Sequence, residues 1–193
     1  MNKNRLEAFS DGVLAIIITI MVLELKIPHS AEFSALKPIF PLFLSYLISF
    51  IYIGIYWNNH HHMMHAVEMV SGKILWANLH LLFWLSMVPF VTAWMGENHF
   101  APTTLALYGM VLLMAAIAYY ILEMSLIHHH GPDSLLSKAV GKNKKGQWSV
   151  ALYIIGISTS FFSLWISGAM YILVAIMWLI PDMRIEKAVE EKD

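Results

Sequence analysis

The sequence predicts an all-α fold in which six helices cross a membrane, and the composition favours this fold directly. Residues of the set AVILMFWYC make up 59% of the 193-residue chain, whereas charged residues make up 13%, about half of the ~25% that is usual in soluble proteins. So few charges cannot cover a surface that faces water, and much of the exterior is therefore expected to face lipid. The formal net charge of -1 gives no sign of a nucleic-acid partner. The absence of cysteine excludes disulfides, thiolate metal sites and a cysteine nucleophile.

The apolar stretches predict a single membrane domain, residues 1–193, with six spans. A helix needs about 20 apolar residues to cross the hydrocarbon core of a bilayer, and the predicted spans are residues 6–27, 38–59, 74–95, 103–127, 148–162 and 165–180. The last two come from one stretch that would form a helix of about 50 Å, too long for a core of about 30 Å. We therefore expect a break near Ser163–Ser167. Ser86 and Pro89 predict a bend in the third helix.

The distribution of basic residues predicts that both termini lie in the cytoplasm. With six spans and this orientation, the outside segments hold only Lys26 and Lys37, and this asymmetry follows the positive-inside rule. A chain with five spans would move the basic residues of the C-terminal segment outside. The inside segments hold Lys3, Arg5, Lys73, Lys138, Lys142, Lys144, Lys145, Arg184, Lys187 and Lys192.

The first helix carries acidic residues too close together for a simple span. Asp11 and Glu24 are separated by about 18 Å along a helix, whereas the hydrocarbon core is about 30 Å thick. At least one of them is therefore expected to face protein or water within the membrane, which marks a functional position. Asp11 is the better candidate, because Glu24 lies beside Lys26 and is expected to reach the outer interface.

One face of the first helix is an almost wholly apolar stripe. At about 100° per residue, Ser10 and Asp11 point away from it, towards neighbouring helices. Two interpretations stay open: the stripe packs against lipid or another helix, or it lines a narrow apolar pore that gates by dewetting. The stripe consists of Arg5, Phe9, Gly12, Ile16, Thr19, Ile20 and Leu23.

A motif at the start of this helix resembles a known family of channels. The string Arg5-x-x-x-Phe9-Ser10-Asp11, followed by an Ile/Leu-rich run, is similar to the first-helix motif of the transmembrane protein 175 family of lysosomal potassium channels and their bacterial homologues. The likeness extends to the six-span layout and to the segments Trp57-Asn-Asn-His60-His61 and Trp76-Ala-Asn78. The chain has one six-span repeat, whereas animal members have two, and this fits the bacterial branch.

The resemblance implies a specific assembly and function. First helices of a homotetramer would line a pore at its axis, with the constriction at Ile16, a threonine layer at Thr19 and further apolar layers at Ile20 and Leu23. It implies a potassium-permeable channel without cofactors in a bacterial cell membrane, whose partners are lipids and its own copies. The sequence contains no Thr-Val-Gly-Tyr-Gly filter, so selectivity cannot come from such a carbonyl ladder.

Polar residues of the second and third helices are expected to support the first. Lone polar groups within a membrane are costly, so Ser10 and Asp11 are expected to form hydrogen bonds with these helices and to fix the first helix. An alternative is a proton- or ion-coupled secondary transporter, in which Asp11 and His80 carry the coupling ion. The predicted motif and scaffold residues are Arg5, Phe9, Ser10, Asp11, Asn78 and His80.

Two runs of histidines close the second and fourth predicted helices. His61 and His65 are spaced i, i+4 and can share one metal ion on a helix face, which makes a membrane oxidase a third hypothesis. Adjacent histidines, however, point about 100° apart on a helix, and a third histidine cluster with accompanying carboxylates is missing. We therefore predict interfacial histidines, no catalytic residue, and only a weak metal-binding candidate in this pair.

Overall fold

The computed structural model describes residues 3–140 and 144–179, and α-helices make up most of these two ranges. Between α1 and α2 lies a 3-10 helix, Phe33–Ile39. The α-helices are α1 (Asn4–Leu23), α2 (Phe40–His65), α3 (Gly72–Ser86), α4 (Val88–Glu97), α5 (Pro102–His130), α6 (Leu135–Val140), α7 (Lys144–Thr159) and α8 (Leu164–Leu179). Of the residues used above, Lys142, Ile180, Arg184, Lys187 and Lys192 lie outside the described ranges.

The lengths of the helices agree with a membrane protein. Four segments of the described chain are long and apolar enough to cross a bilayer: residues 4–23, 33–65, 72–97 and 102–130. The helices α7 and α8 have 16 residues each, and α8 is apolar throughout most of its length. The all-α membrane class is thereby confirmed, whereas the number of six spans stays a prediction.

Proline and glycine set several helix ends. Pro41, Pro89 and Pro102 lie in the first turns of α2, α4 and α5, where the missing N–H of proline costs no hydrogen bond. Gly131 follows α5 with a φ of 86°, a conformation that glycine adopts without strain. The break between α3 and α4 falls at Met87, where Ser86 and Pro89 predict a bend.

The observed helix ends differ from the predicted ones at several points, and α2, for example, ends at His65 rather than near residue 59. α1 ends at Leu23 rather than near residue 27, and beyond this end Lys26 pairs with Glu97 at 3.2 Å. The helix α7 ends at Thr159 and α8 begins at Leu164, so the interruption starts a few residues before the predicted break. There Ser163 N donates to the carbonyl of Thr159 at 2.8 Å.

Tyr171 of α8 fills a notch between α5 and α7. A Cβ atom added at Gly109 or Gly156 would overlap the ring of Tyr171, so only glycine allows this close packing. The phenol hydroxyl of Tyr171 donates to the carbonyl of Leu105 at 3.2 Å, and Tyr52 of α2 donates to the carbonyl of Tyr171 at 2.5 Å. Tyr171 therefore joins α8 to three other helices.

The helix α1 packs against α2, α3 and α4 and contributes one side to the core. Its buried residues are Leu6, Ser10, Leu14, Ile17 and Met21. The opposite side of α1 is left uncovered by the residues that the structure describes, and this side carries the candidate site.

Candidate functional site

The predicted apolar stripe is the uncovered side of α1. The exposed fraction is 60% for Ile16 and 75% for Leu23, whereas it is 3% for the adjacent Ile17. Every member of the stripe is exposed, namely Arg5, Phe9, Gly12, Ile16, Thr19, Ile20 and Leu23. Such a continuous apolar face on a single helix is a surface for lipid or for other copies of the chain.

Thr19 presents an oxygen atom on this apolar face. Its hydroxyl donates to the carbonyl of Ala15, one turn back in α1, at 2.9 Å. A hydroxyl has one donor and two acceptor lone pairs, so the hydrogen is occupied and the lone pairs remain available. Thr19 can therefore offer a partial negative charge between the apolar side chains of Ile16 and Leu23.

Behind the stripe, a chain of buried hydrogen bonds joins α1, α3 and α2. Asn78 Nδ2 of α3 donates to Ser10 Oγ of α1 at 2.9 Å, and Ser10 in turn donates to the carbonyl of Leu6 at 2.8 Å. On its other side Asn78 Oδ1 accepts from His60 Nε2 of α2 at 2.9 Å. Ser10, Asn78 and His60 are all buried, so their polar atoms depend on one another.

A second set of contacts runs along α1 and α2, one contact per helical turn. Lys3 Nζ donates to the carbonyl of Met64 at 2.9 Å, and His61 Nδ1 contacts Glu7 Oε1 at 3.0 Å. One turn further, Trp57 Nε1 donates to Asp11 Oδ1 at 3.1 Å. We call these three contacts the α1–α2 ladder. It holds the N-terminal half of α1 on α2 in an antiparallel arrangement.

The six residues predicted as motif and scaffold therefore separate into three groups. Ser10, Asp11 and Asn78 lie in the contacts between helices, as expected of a support for α1. Arg5 and Phe9 lie on the exposed face instead.

His80 belongs to neither the ladder nor the exposed face. It accepts a hydrogen bond from Trp84 of its own helix at 3.0 Å. Asp11 bonds to Trp57, and His80 bonds to Trp84. Within the described contacts, Asp11 and His80 therefore share no direct hydrogen bond.

Sequence reasoning missed Glu7, Lys3 and Trp57 as members of the ladder. A signal was present, because Lys3, Glu7 and Asp11 are spaced i, i+4 and so share one face of α1. The sequence did not show which helix these residues contact, because their partners lie 46 to 61 residues away in the chain.

The predicted histidine pair gains a third possible metal ligand. His61 and His65 lie together on α2, with ring centroids 4.3 Å apart, and Glu7 reaches them from α1. One ligand atom of each of these three residues lies within 4.8 Å of the others.

A separate cavity of about 650 Å³ lies between α2, α5, α7 and α8. Its walls include Tyr52, Tyr56 and Tyr153, with Lys144 and Gln147 among the lining residues. No residue of α1 lines this cavity, so it is separate from the exposed face of α1.

Comparison with known proteins shows similarity to one group of ion channels. The family described as endosomal/lysosomal potassium channel TMEM175 matches residues 5–89, the segment that contains α1, α2 and α3. A potassium channel of Chryseobacterium sp. (strain P1-3) is 57% identical over 191 residues, covering 99% of this chain and 100% of the relative. A potassium channel of Chamaesiphon minutus is 32% identical over 187 residues, covering 89% of this chain and 91% of the relative.

The fold is also similar to a solved structure. The crystal structure of a lysosomal potassium-selective channel TMEM175 homolog from Chamaesiphon minutus matches with a TM-score of 0.79 and 31% sequence identity, covering 91% of this chain and 95% of that chain. The similarity therefore spans nearly the whole of both chains and includes the helices α1, α2 and α3.

Proposed function

This chain belongs to the TMEM175 family, and from this membership we propose that it forms a potassium-permeable cation channel in a bacterial membrane. The relatives that match it along most of their length are named as potassium channels. The chain is therefore not an enzyme, and the histidine runs need no catalytic interpretation. Permeant potassium ions are its proposed substrate, with both termini in the cytoplasm and lipid around the remaining helices.

The observation that carries the proposed mechanism is the uncovered apolar face of α1. One face of one helix cannot enclose a pore, whereas several copies around a symmetry axis can. In a homotetramer, four α1 helices face a common axis with Ile16, Thr19, Ile20 and Leu23 towards it. Without such an assembly the same four residues would face lipid, and the lone pairs of the Thr19 hydroxyl oxygen would then have no donor or cation to contact.

Ile16 is the proposed constriction. A ring of isoleucine side chains offers no ligand to a cation, so an ion crosses it at least partly hydrated, and such apolar rings gate by excluding water. Thr19, nearly one turn along α1, supplies the hydroxyl oxygens that stabilise an ion that has lost part of its water. Ile20 and Leu23 extend the apolar lining beyond this layer.

Ser10, Asp11 and Asn78 act in this proposal as supports and not as ion ligands. Their hydrogen bonds hold the back of α1 on α2 and α3, so that the opposite face stays directed away from the bundle. A polar contact of this kind is suited to a membrane protein, because lipid gives helices no hydrophobic reason to associate.

The decisive experiment combines assembly and conduction in the full-length protein. Multi-angle light scattering of the detergent-solubilised protein is expected to give about four times the chain mass of 22.0 kDa. Planar bilayers containing the same preparation are expected to show single-channel steps, with a reversal potential that follows the potassium gradient more than the sodium gradient. A monomer in solution would refute the tetramer, and a silent tetramer would refute conduction.

A further inference from the structure

Glu7 of α1 faces two histidines of α2 in an arrangement that suits a metal ion. His61 and His65 are one helical turn apart, and their rings lie side by side with centroids 4.3 Å apart. Glu7 Oε1 lies 3.0 Å from His61 Nδ1, and the three ligand atoms lie within 4.8 Å of one another. We propose that Glu7, His61 and His65 bind one divalent transition-metal ion of the zinc class and that this ion ties α1 to α2.

The ligand set favours zinc over the common alkaline-earth ions. Two imidazole nitrogens and one carboxylate oxygen suit zinc, which binds them at about 2.0–2.2 Å and takes a fourth ligand from water in open sites. Magnesium and calcium prefer sites made of oxygen atoms and need more of them. Cobalt, nickel and copper share the preference for imidazole, so the proposed ligand is this class of ion.

The site is reachable and needs only a small rearrangement. The side chains of Glu7 and His61 are 17% and 41% exposed, so an ion can enter from water at the end of the bundle. Ligands of a tetrahedral zinc ion are about 3.3 Å apart, so the ligand atoms must draw together by about 1 Å or more. His65 lies exposed at the last residue of α2, and a change in its side-chain rotamer supplies this movement.

The ring of His61 is oriented by its surroundings. It stacks on Trp57, with centroids 6.2 Å apart and an interplanar angle of 23°, and Trp57 holds Asp11 of α1. Contacts that orient a metal-binding histidine raise the affinity of the site. The proposed ion thus replaces the hydrogen bond between His61 and Glu7 and reinforces the middle of the α1–α2 ladder.

The second histidine run provides the internal comparison. His130 Nδ1 contacts the carbonyl of Leu126 of its own helix at 3.0 Å, and His128 and His129 are exposed. Within the described part of the chain, no carboxylate joins this run in a group of possible metal ligands. The histidine run at the end of α5 is therefore a matched control for the proposed site, because it has histidines without a carboxylate partner.

The binding test uses full-length protein with a tag that contains no histidine, treated with EDTA and then titrated with ZnCl₂ or MgCl₂. Calorimetry is expected to give one zinc ion per chain and no comparable magnesium binding. Glu7→Gln and His65→Ala are expected to weaken zinc binding about tenfold or more, whereas His129→Ala keeps the wild-type affinity. His65 is exposed, so His65→Ala decides the question even if Glu7→Gln fails to fold.

Two results would overturn the site. One is a wild-type protein that binds no zinc under these conditions. The other is zinc affinity that is the same in His65→Ala and in the wild type. Loss of binding in His129→Ala, with binding kept in His65→Ala, would assign the ion to the other histidine run.

The consequence for conduction rests on the proposed function. If α1 lines the pore, a tie between α1 and α2 restrains the helix that must move on opening, and zinc is expected to lower the wild-type current. His65→Ala is expected to abolish this effect and His129→Ala to preserve it. If zinc binds but does not lower the current, the proposed restraint of α1 by the metal ion is refuted. If the wild-type protein never conducts, the proposed channel function is refuted, and calorimetry alone then tests the metal site.

Discussion

The two faces of α1 are similar in hydrophobicity and opposite in what they contact. The face towards the bundle carries Leu14, Ile17 and Met21, which are almost fully buried, whereas the other carries Ile16 and Leu23, which are exposed. Apolar character therefore does not decide which face turns inward. The difference lies in the polar residues, since Ser10 on the inward face is held by Asn78 and the α1–α2 ladder holds the neighbouring positions.

This comparison shows what orients a helix when its solvent is lipid. Hydrocarbon tails are as apolar as leucine, so burying a leucine against another helix gains little. A polar group left without a partner in hydrocarbon costs several kcal/mol. A few hydrogen bonds near one end of α1 are therefore sufficient to choose which of two apolar faces remains free.

The largest expected effect comes from removing the central hydrogen-bonding residue. Asn78→Leu leaves His60 Nε2 without its acceptor and leaves Ser10 only its bond to the carbonyl of Leu6. An orphaned buried polar group costs roughly 1–3 kcal/mol. We expect the midpoint of thermal unfolding to fall clearly, and tryptophan fluorescence of the protein in detergent measures this midpoint. Asn98→Leu is the control, because Asn98 is exposed and its side chain donates to the carbonyl of Trp94 in the helix that precedes it. An equal fall in the thermal midpoint of both variants would contradict a special role for the buried hydrogen bonds of Asn78.

Adjacent isoleucines test the two faces directly. Ile16→Asn puts an amide on the free face and is expected to raise potassium conductance about tenfold, corresponding to about 1.4 kcal/mol off the barrier, and to weaken discrimination against sodium. Ile17→Asn buries the same amide in the bundle and is expected to lower stability and yield instead. Planar-bilayer recording and thermal unfolding measure the two outcomes. If Ile17→Asn alters permeation and Ile16→Asn does not, the pore face has been assigned to the wrong side.

A smaller effect is expected from the charge in the ladder. Asp11→Asn keeps an acceptor for Trp57 but removes the negative charge, and a hydrogen bond between membrane helices contributes about 0.6 kcal/mol on average. The thermal midpoint is expected to fall more than in Arg5→Ala, which changes the exposed face. Normal assembly and stability combined with altered ion preference in Asp11→Asn would instead put Asp11 in the conduction path.

The smallest effect is expected at Thr19. Thr19→Val keeps the shape and removes the hydroxyl oxygen, so the permeability ratio of potassium to sodium is expected to fall about twofold, without an increase in conductance. Reversal potentials under a potassium/sodium gradient measure the ratio. Thr159→Val is the matched control, because Thr159 also donates to a carbonyl four residues back in its helix, at 2.8 Å. An unchanged ratio in Thr19→Val would exclude the threonine layer as a contributor.

Sequence reasoning recovered the features that depend on local geometry. Rotation of about 100° per residue fixes which residues share a helix face, so the members of the stripe, including Ile16 and Leu23, followed from spacing alone. The bend at Met87 was likewise predictable from Ser86 and Pro89. Helix ends were less accurate at Leu23 and Thr159, because single apolar residues recur past both, such as Ile27 and Phe162.

The remaining features depend on contacts between distant segments. Both faces of α1 are apolar, so only Ser10 and Asp11 indicated in the sequence which of them turns towards α2 and α3. Glu7 was missed because an acidic residue in the first turn of a helix is already favourable there and needs no partner. Its meeting with His61 and His65 follows only from how α1 packs on α2.

The packing of Tyr171 between α5 and α7 has a consequence for how this protein can evolve. Because the ring occupies space left by Gly109 and Gly156, a side chain at either glycine is incompatible with an aromatic residue at 171. A relative that replaces one of these glycines is expected to carry a smaller residue at the position of Tyr171. Substitution histories at these three positions are therefore expected to be correlated, although the residues lie on three different helices.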